Sequence, residues 1–230
     1  MCGRFNVIDN PGLRALLKDL GIDLTLPSAA NVAPTEDVQL LRDRGTERTL
    51  ETARWWLTPS WARAVDQKYA MFNARSESLS TSRAFRHPFK SQRGVVPMSG
   101  FIEWRKEGNS KQPWLISNEE SALAIAALWD VWSRDDTTLL SCTLVTTAAA
   151  ADFAPWHHRM PVMLTLRECE RWLDGNQLID SEDPLFRDEL KYPLILKALP
   201  EAIGNARNKD LSMVTAKSDQ VHLLGGTTVT

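Results

Sequence analysis

Six short apolar segments, each bounded by turn-forming residues, limit the folds open to this chain. They cover residues 38–41, 50–56, 94–104, 113–117, 122–129 and 139–147, and their length and borders predict strands. Glu107-Gly108-Asn109-Ser110 reads as the tip of a hairpin joining two of them. Helical signals are fewer. Pro11 follows Asp9-Asn10 at a helix start, with Leu13, Leu16, Leu17 and Leu20 as its apolar stripe and Gly21 as its end. Thr165-Leu166-Arg167-Glu168 is a capping-box pattern opening a helix to Leu173. A third helix is expected over 182–190. Many strands and few helices, not strictly alternating, predict an α+β fold: a mostly antiparallel, barrel-like β-sheet core with a few peripheral helices.

At 230 residues the chain can build one substantial core, and a single domain over 1–230 is expected. No secretion signal opens it and no apolar run reaches transmembrane length, so no membrane partner is expected. Cys2, Cys142 and Cys169 form neither a disulfide framework nor a metal-binding pattern. The expected compartment is reducing and cytoplasmic, nucleoid-associated in a bacterium, and a monomer is expected. The net charge of −2 argues against a generally sticky nucleic-acid protein. Its distribution differs: between Arg75 and Lys111 eight Lys/Arg face three Glu, and between Glu168 and Glu201 nine Asp/Glu face four Lys/Arg. That split fits either a phosphate-seeking face or two solvated faces.

Cys2 carries the sharpest chemical signal. Removal of Met1 would leave an α-amino group and a thiol on adjacent carbons, titrating at about 7.7–8.0 and about 8.5. Such a 1,2-aminothiol condenses with an aldehyde to an imine and then closes a thiazolidine. Glu103, within Gly100-Phe101-Ile102-Glu103-Trp104, lies either on a solvent face or buried with a raised pKa. In the extended reading of Trp156-His157-His158-Arg159, the two histidines point opposite ways, and at most one enters a site. Asn73 and Arg75 share a loop suited to backbone or phosphate contacts, and Pro34 lies in the rigid loop Asn31-Val32-Ala33-Pro34-Thr35. Among nine tryptophans, Trp61 follows the turn Thr58-Pro59-Ser60 and is the one expected at the surface, where an aromatic can stack on unpaired bases.

In this order and spacing, Met1-Cys2-Gly3-Arg4-Phe5, Asn31 to Thr35, Trp55 to Trp61, Asn73 to Glu77, Gly100 to Trp104, Lys111-Gln112-Pro113 and His157 to Pro161 resemble the SOS response-associated peptidase (SRAP) family. The resemblance implies a sensor of abasic sites in single-stranded DNA, crosslinking through the N-terminal cysteine, with abasic-site lyase and self-cleaving peptidase chemistry possible. It makes Cys2 the nucleophile and puts Asn73, Glu103 and His157 in the same pocket. His157 takes the family histidine's place, two before Arg159. Arg4, Arg75, Arg83 and Arg159 would grip phosphates, and Pro34 and Trp61 would wedge between bases. Thr146 would lie near the DNA backbone, with Thr147 hard to separate from it. No metal or organic cofactor is implied.

The chain departs from the family pattern at Trp56, commonly glycine, at Ala62, a second tryptophan in some members, and at His158, a frequent aspartate. Two other readings remain open. A non-covalent reader of modified or damaged bases would leave Cys2 incidental, and a glutamine amidotransferase also opens Met-Cys-Gly.

Overall fold

Strand pairing around one closed ring positions everything else. The computed structural model describes residues 3–118 and 121–225. In chain order its elements are β1 (Phe5–Val7), α1 (Pro11–Asp19), β2 (Ala29–Val32), β3 (Asp37–Asp43), β4 (Arg48–Trp55), β5 (Asn73–Arg75), α2 (Arg86–Ser91), β6 (Arg93–Met98), β7 (Gly100–Glu107), β8 (Ser110–Ser117), β9 (Leu123–Arg134), β10 (Thr137–Ala148), β11 (Arg159–Pro161), β12 (Met163–Leu164), α3 (Leu166–Leu173), β13 (Leu194–Ala198), α4 (Ser212–Thr215) and β14 (Val221–Leu224). Strands β10, β4, β3, β6 and β9 pair in that order, and β9 pairs back onto β10, closing a five-stranded barrel. Only the β4–β10 seam of the ring is parallel. A second sheet runs β14-β13-β8-β7-β1-β2. The fold is therefore α+β with a barrel-like core, as the strand-rich pattern predicts.

Local chemistry explains the helix ends. The Asn10 side chain accepts from the Leu13 amide at 2.8 Å, and Pro11 at the first helical position needs no donor. Leu13, Leu16 and Leu17 turn inward. At α3 the capping box forms in both directions between Thr165 and Glu168. The expected helix over 182–190 is instead one 3-10 turn, Pro184–Phe186. Asp183 accepts from the Leu185 amide and pairs with Arg171. Leu185 and Phe186 are both buried, and the chain turns extended again at Arg187.

The apolar run 94–104 is two strands, not one. Strand β6 pairs with β9, and β7 pairs with β1 and β8. The break is Ser99: its amide donates to the Asn6 carbonyl at 2.8 Å, and its hydroxyl bridges the amide and carbonyl of Ile8. Here the chain leaves the barrel for the second sheet. Gly100 is needed at the crossing because a Cβ there would lie 2.6 Å from the Ile116 carbonyl oxygen. The hairpin tip is as expected, with Gly108 at φ +60° between paired Glu107 and Ser110.

The basic middle of the chain is not one face. Arg93 is buried, and its guanidinium donates to the carbonyls of Trp172, Phe89, Lys90, Asp174 and Gln177. It is a structural cation tying β6 to the end of α3. Gly100→Ala should lower stability by about 1–3 kcal/mol, the usual cost of overpacking. Urea unfolding measures it, and an unchanged midpoint would show that β8 moves aside freely.

Candidate functional site

The candidate residues fall into three groups held by neighbouring strands. Cys2 lies outside the described residues. The chain just past it is firmly held: the Arg4 carbonyl accepts from the Ile102 amide at 2.9 Å, and Phe5 pairs with both Phe101 and Val32. The first described strand thus runs beside β7, which carries Glu103. That glutamate is 3 % exposed and sits opposite Trp114. Of the two placements open to the sequence, the structure has the buried one. Burial pushes the carboxyl pKa up. Phe101, two residues earlier and on the same strand face, packs 6.0 Å from the Phe153 ring.

Arg4 lies over the other face of this sheet. Its guanidinium donates to Asn31 Oδ1 at 2.9 Å and the Ile203 carbonyl at 3.4 Å, with the Trp104 ring 5.7 Å away. Asn31, fully buried at φ +53°, donates in turn to the carbonyls of Ile203, Asn205 and Asn208, each at 3.0 Å. Pro34 lies just past this knot, half-buried, where the Thr35 amide donates to the Trp55 carbonyl. Sequence reading treats Asn31 as a loop residue. Its role as a hub depends on carbonyls over 170 positions away and has no local signal.

Strand β10 assembles the second group. Asn73 pairs opposite Leu144, and Arg75 opposite Thr146. On the other side of β10, Thr146 faces Pro161 and Ala148 faces Arg159. Asn73 is 9 % exposed while the Arg75 side chain is exposed. Thr146 is wholly buried, and the Thr147 hydroxyl donates to the Phe186 carbonyl. Arg159 is 8 % exposed. It grips both Glu77 oxygens, at 2.5 and 3.0 Å, and donates to the Thr146 carbonyl at 2.7 Å. The same contact holds the Glu77 carboxyl below its ordinary pKa. In the sequence Glu77 is legible only as the last residue of the Asn73 to Glu77 motif.

His157 and His158 do not point apart. Successive turn hydrogen bonds at Ala150 to Trp156 replace the extended segment, and the two imidazoles stack at 4.3 Å. The His157 Nδ1 lies 2.9 Å from the Arg159 amide and 3.0 Å from its carbonyl, so proton chemistry falls to Nε2. Burial lowers its pKa to about 4.

The third group is Trp61 and Arg83. Trp61 is 50 % exposed, and the Arg83 guanidinium lies 4.1 Å from its ring centroid. Asp130 accepts from the Ser60 amide at 2.8 Å and steadies the turn. Ala62 comes next, with its carbonyl bound by Trp132 Nε1 at 2.8 Å, and Trp56 packs on Phe72 at 5.4 Å.

The histidine should make stability depend on pH. Its folded pKa of about 4 lies below the ordinary 6.5, so unfolding takes up a proton in that window. Stability should be lost as pH falls from 6.5 to about 4. An NMR titration of His157 should give the low midpoint, and urea unfolding of His157→Gln should depend less on pH. A folded-state midpoint near the ordinary value contradicts the buried environment.

Known proteins share this architecture and sequence. The family described as SOS response associated peptidase (SRAP) matches residues 1–205. Abasic site processing protein YoqW of Bacillus subtilis is 32 % identical over 201 residues, spanning 84 % of this chain and 87 % of that protein. Abasic site processing protein YoaM of the same organism is 33 % identical over 182 residues, spanning 76 % and 79 % respectively. A crystal structure of a protein from Bordetella bronchiseptica superposes with a TM-score of 0.71 at 24 % identity, covering 86 % of this chain and all of that one. With its motifs in order, its matched length and its shared fold, the chain belongs to the SRAP family.

Proposed function

We propose that this protein senses abasic sites in single-stranded DNA and joins to them covalently through Cys2 after Met1 is removed. The observation that carries the reading is the buried Glu103 on β7, beside the strand that begins three residues past Cys2. The relatives named as abasic site processing proteins support the lesion as the target.

The chemistry balances without a metal or organic cofactor. An abasic sugar opens to an aldehyde. The Cys2 amine adds to its carbon, and loss of water gives an imine. The thiol then adds across the C=N bond, forming C–S while the proton passes to nitrogen, which closes the thiazolidine. A buried carboxyl of raised pKa, such as Glu103, can accept and return protons. His157, neutral at pH 7, can act on the sugar oxygen through Nε2. Asn73 is assigned to hold the deoxyribose. β-Elimination from the imine would be the lyase branch, and Met1 would leave by self-cleavage or by an aminopeptidase.

Arg75 and Arg83, both exposed, suit phosphate contacts. Arg4 and Arg159 are assigned to phosphates as well. Each already has protein partners, and Arg159 would share a phosphate with Glu77 or exchange Glu77 for it. Thr146 contributes from below, through its carbonyl hold on Arg159. Trp61 is the wedge, with Pro34 assigned to the other side of the lesion.

Mixing Met1-free protein with an oligonucleotide bearing one abasic site should give an SDS-stable adduct with the summed mass less water. Cys2→Ala should abolish the adduct and keep single-strand binding, and a crosslink retained in that variant would falsify the assignment. Glu103→Gln should slow crosslinking. Trp61→Ala should weaken single-strand binding by roughly 1–3 kcal/mol, and Arg75→Ala should weaken it and flatten its salt dependence. Normal binding by Trp61→Ala, measured by anisotropy, removes the wedge.

A further inference from the structure

Among the described residues, only two phenylalanine, tyrosine or tryptophan side chains are exposed: Trp61, at 50 %, and Tyr69, at 64 %. Both line one cavity of about 400 Å³, a size in the range that holds small organic groups. Each carries a cation over its ring, Arg83 on Trp61 at 4.1 Å and Lys68 on Tyr69 at 5.6 Å. Arg63 also lines the cavity, against a single acidic residue, Asp66. None of these three cations joins a salt bridge among the described residues.

The cavity is held to the barrel. The Leu57 amide donates to the Met71 carbonyl at 3.1 Å, closing the loop at its base two residues before β5. From β9, Trp132 holds the Ala62 carbonyl and Arg134 donates to the Arg63 carbonyl. The loop is thus anchored next to Asn73 and Arg75.

We propose that this cavity is a second nucleotide subsite, in which a base of the single strand beyond the one at Trp61 stacks on Tyr69. Its phosphate lies on Lys68 and Arg63. The inference rests on single-stranded DNA being the ligand proposed above. An aromatic ring with an unpaired cation beside it is the combination that binds unpaired nucleotides without regard to sequence. Here that combination occurs twice around one hollow, so the footprint extends past the wedge. On binding, each cation leaves the ring for a phosphate and the base takes its place.

Anisotropy of a labelled, undamaged oligodeoxynucleotide tests this on the full chain. Tyr69→Ala should weaken binding about five- to hundredfold, while Tyr69→Phe should bind as wild type. Lys68→Ala should reduce the slope of log affinity against log salt by about 0.7. A 2-aminopurine walked along the strand should be quenched at one position in wild type and Trp61→Ala, and not in Tyr69→Ala. Wild-type affinity in Tyr69→Ala overturns the subsite, as does failure of the wild type to bind the strand. An abasic oligonucleotide run in parallel separates the two readings. Missing SDS-stable adduct with the Tyr69 pattern intact overturns the crosslink alone, and adduct formation with unchanged Tyr69→Ala binding overturns the subsite alone.

Discussion

The pairing of β10 along both edges is the constraint that sets the site. Over residues 137–144 it zips antiparallel to β9, and its Ser141–Cys142 stretch lies parallel to β4, closing the barrel. Past that point the same strand turns its edges to β5 and β11. A strand held by eight successive register pairs has no freedom to slip, because a one-residue shift would turn Cys142 and Leu144 away from the core. Asn73, Arg75 and Arg159 therefore inherit their relative positions from the ladder and not from their own loops. Such backbone placement is what the proposed chemistry would require, since a small misplacement costs rate steeply.

A second principle is the division of labour among the cations. Arg93 and Arg159 lie under the surface, the first saturated by carbonyls and the second held by Glu77 and the Thr146 carbonyl, and hold elements together. Arg63, Lys68, Arg75 and Arg83 carry no salt bridge among the described residues. Burying a guanidinium is tolerable only where most of its donors are met, whereas a phosphate contact needs donors left available. Charge counts along the chain cannot make that distinction. The same logic applies to Glu103: its carboxyl, inside a sheet beside Trp114 and Phe101, has its pKa raised by the very burial that would count against it as a stabilising group.

Much of the architecture is legible in the chain itself. Asn10-Pro11 and Thr165 to Glu168 mark helix starts because capping is a local interaction, complete within four residues. The six apolar runs mark strands because their length and turn borders are equally local. Local reading fails where distant partners decide the outcome. Ser99 divides one apolar run because Asn6 and Ile8 claim it, and Asp183, held by Arg171, caps a single 3-10 turn where a longer helix is expected. The His157–His158 stack exists because the chain turns at Ala150 to Trp156, which alternation along an extended strand cannot foresee.

Sequence alone determined the family, the α+β class, the caps and the identity of the chemical groups, since ordered motifs and local hydrogen bonding are written in neighbouring residues. Tertiary structure decided which of those groups are buried and which stay available to a ligand. The placement of Glu103, the capture of Arg159 by Glu77, the Asn31 hub and the shared hollow of Trp61 and Tyr69 depend on the folded chain. Desolvation and ion pairing depend on what surrounds a group in space, and that is set only when the barrel closes.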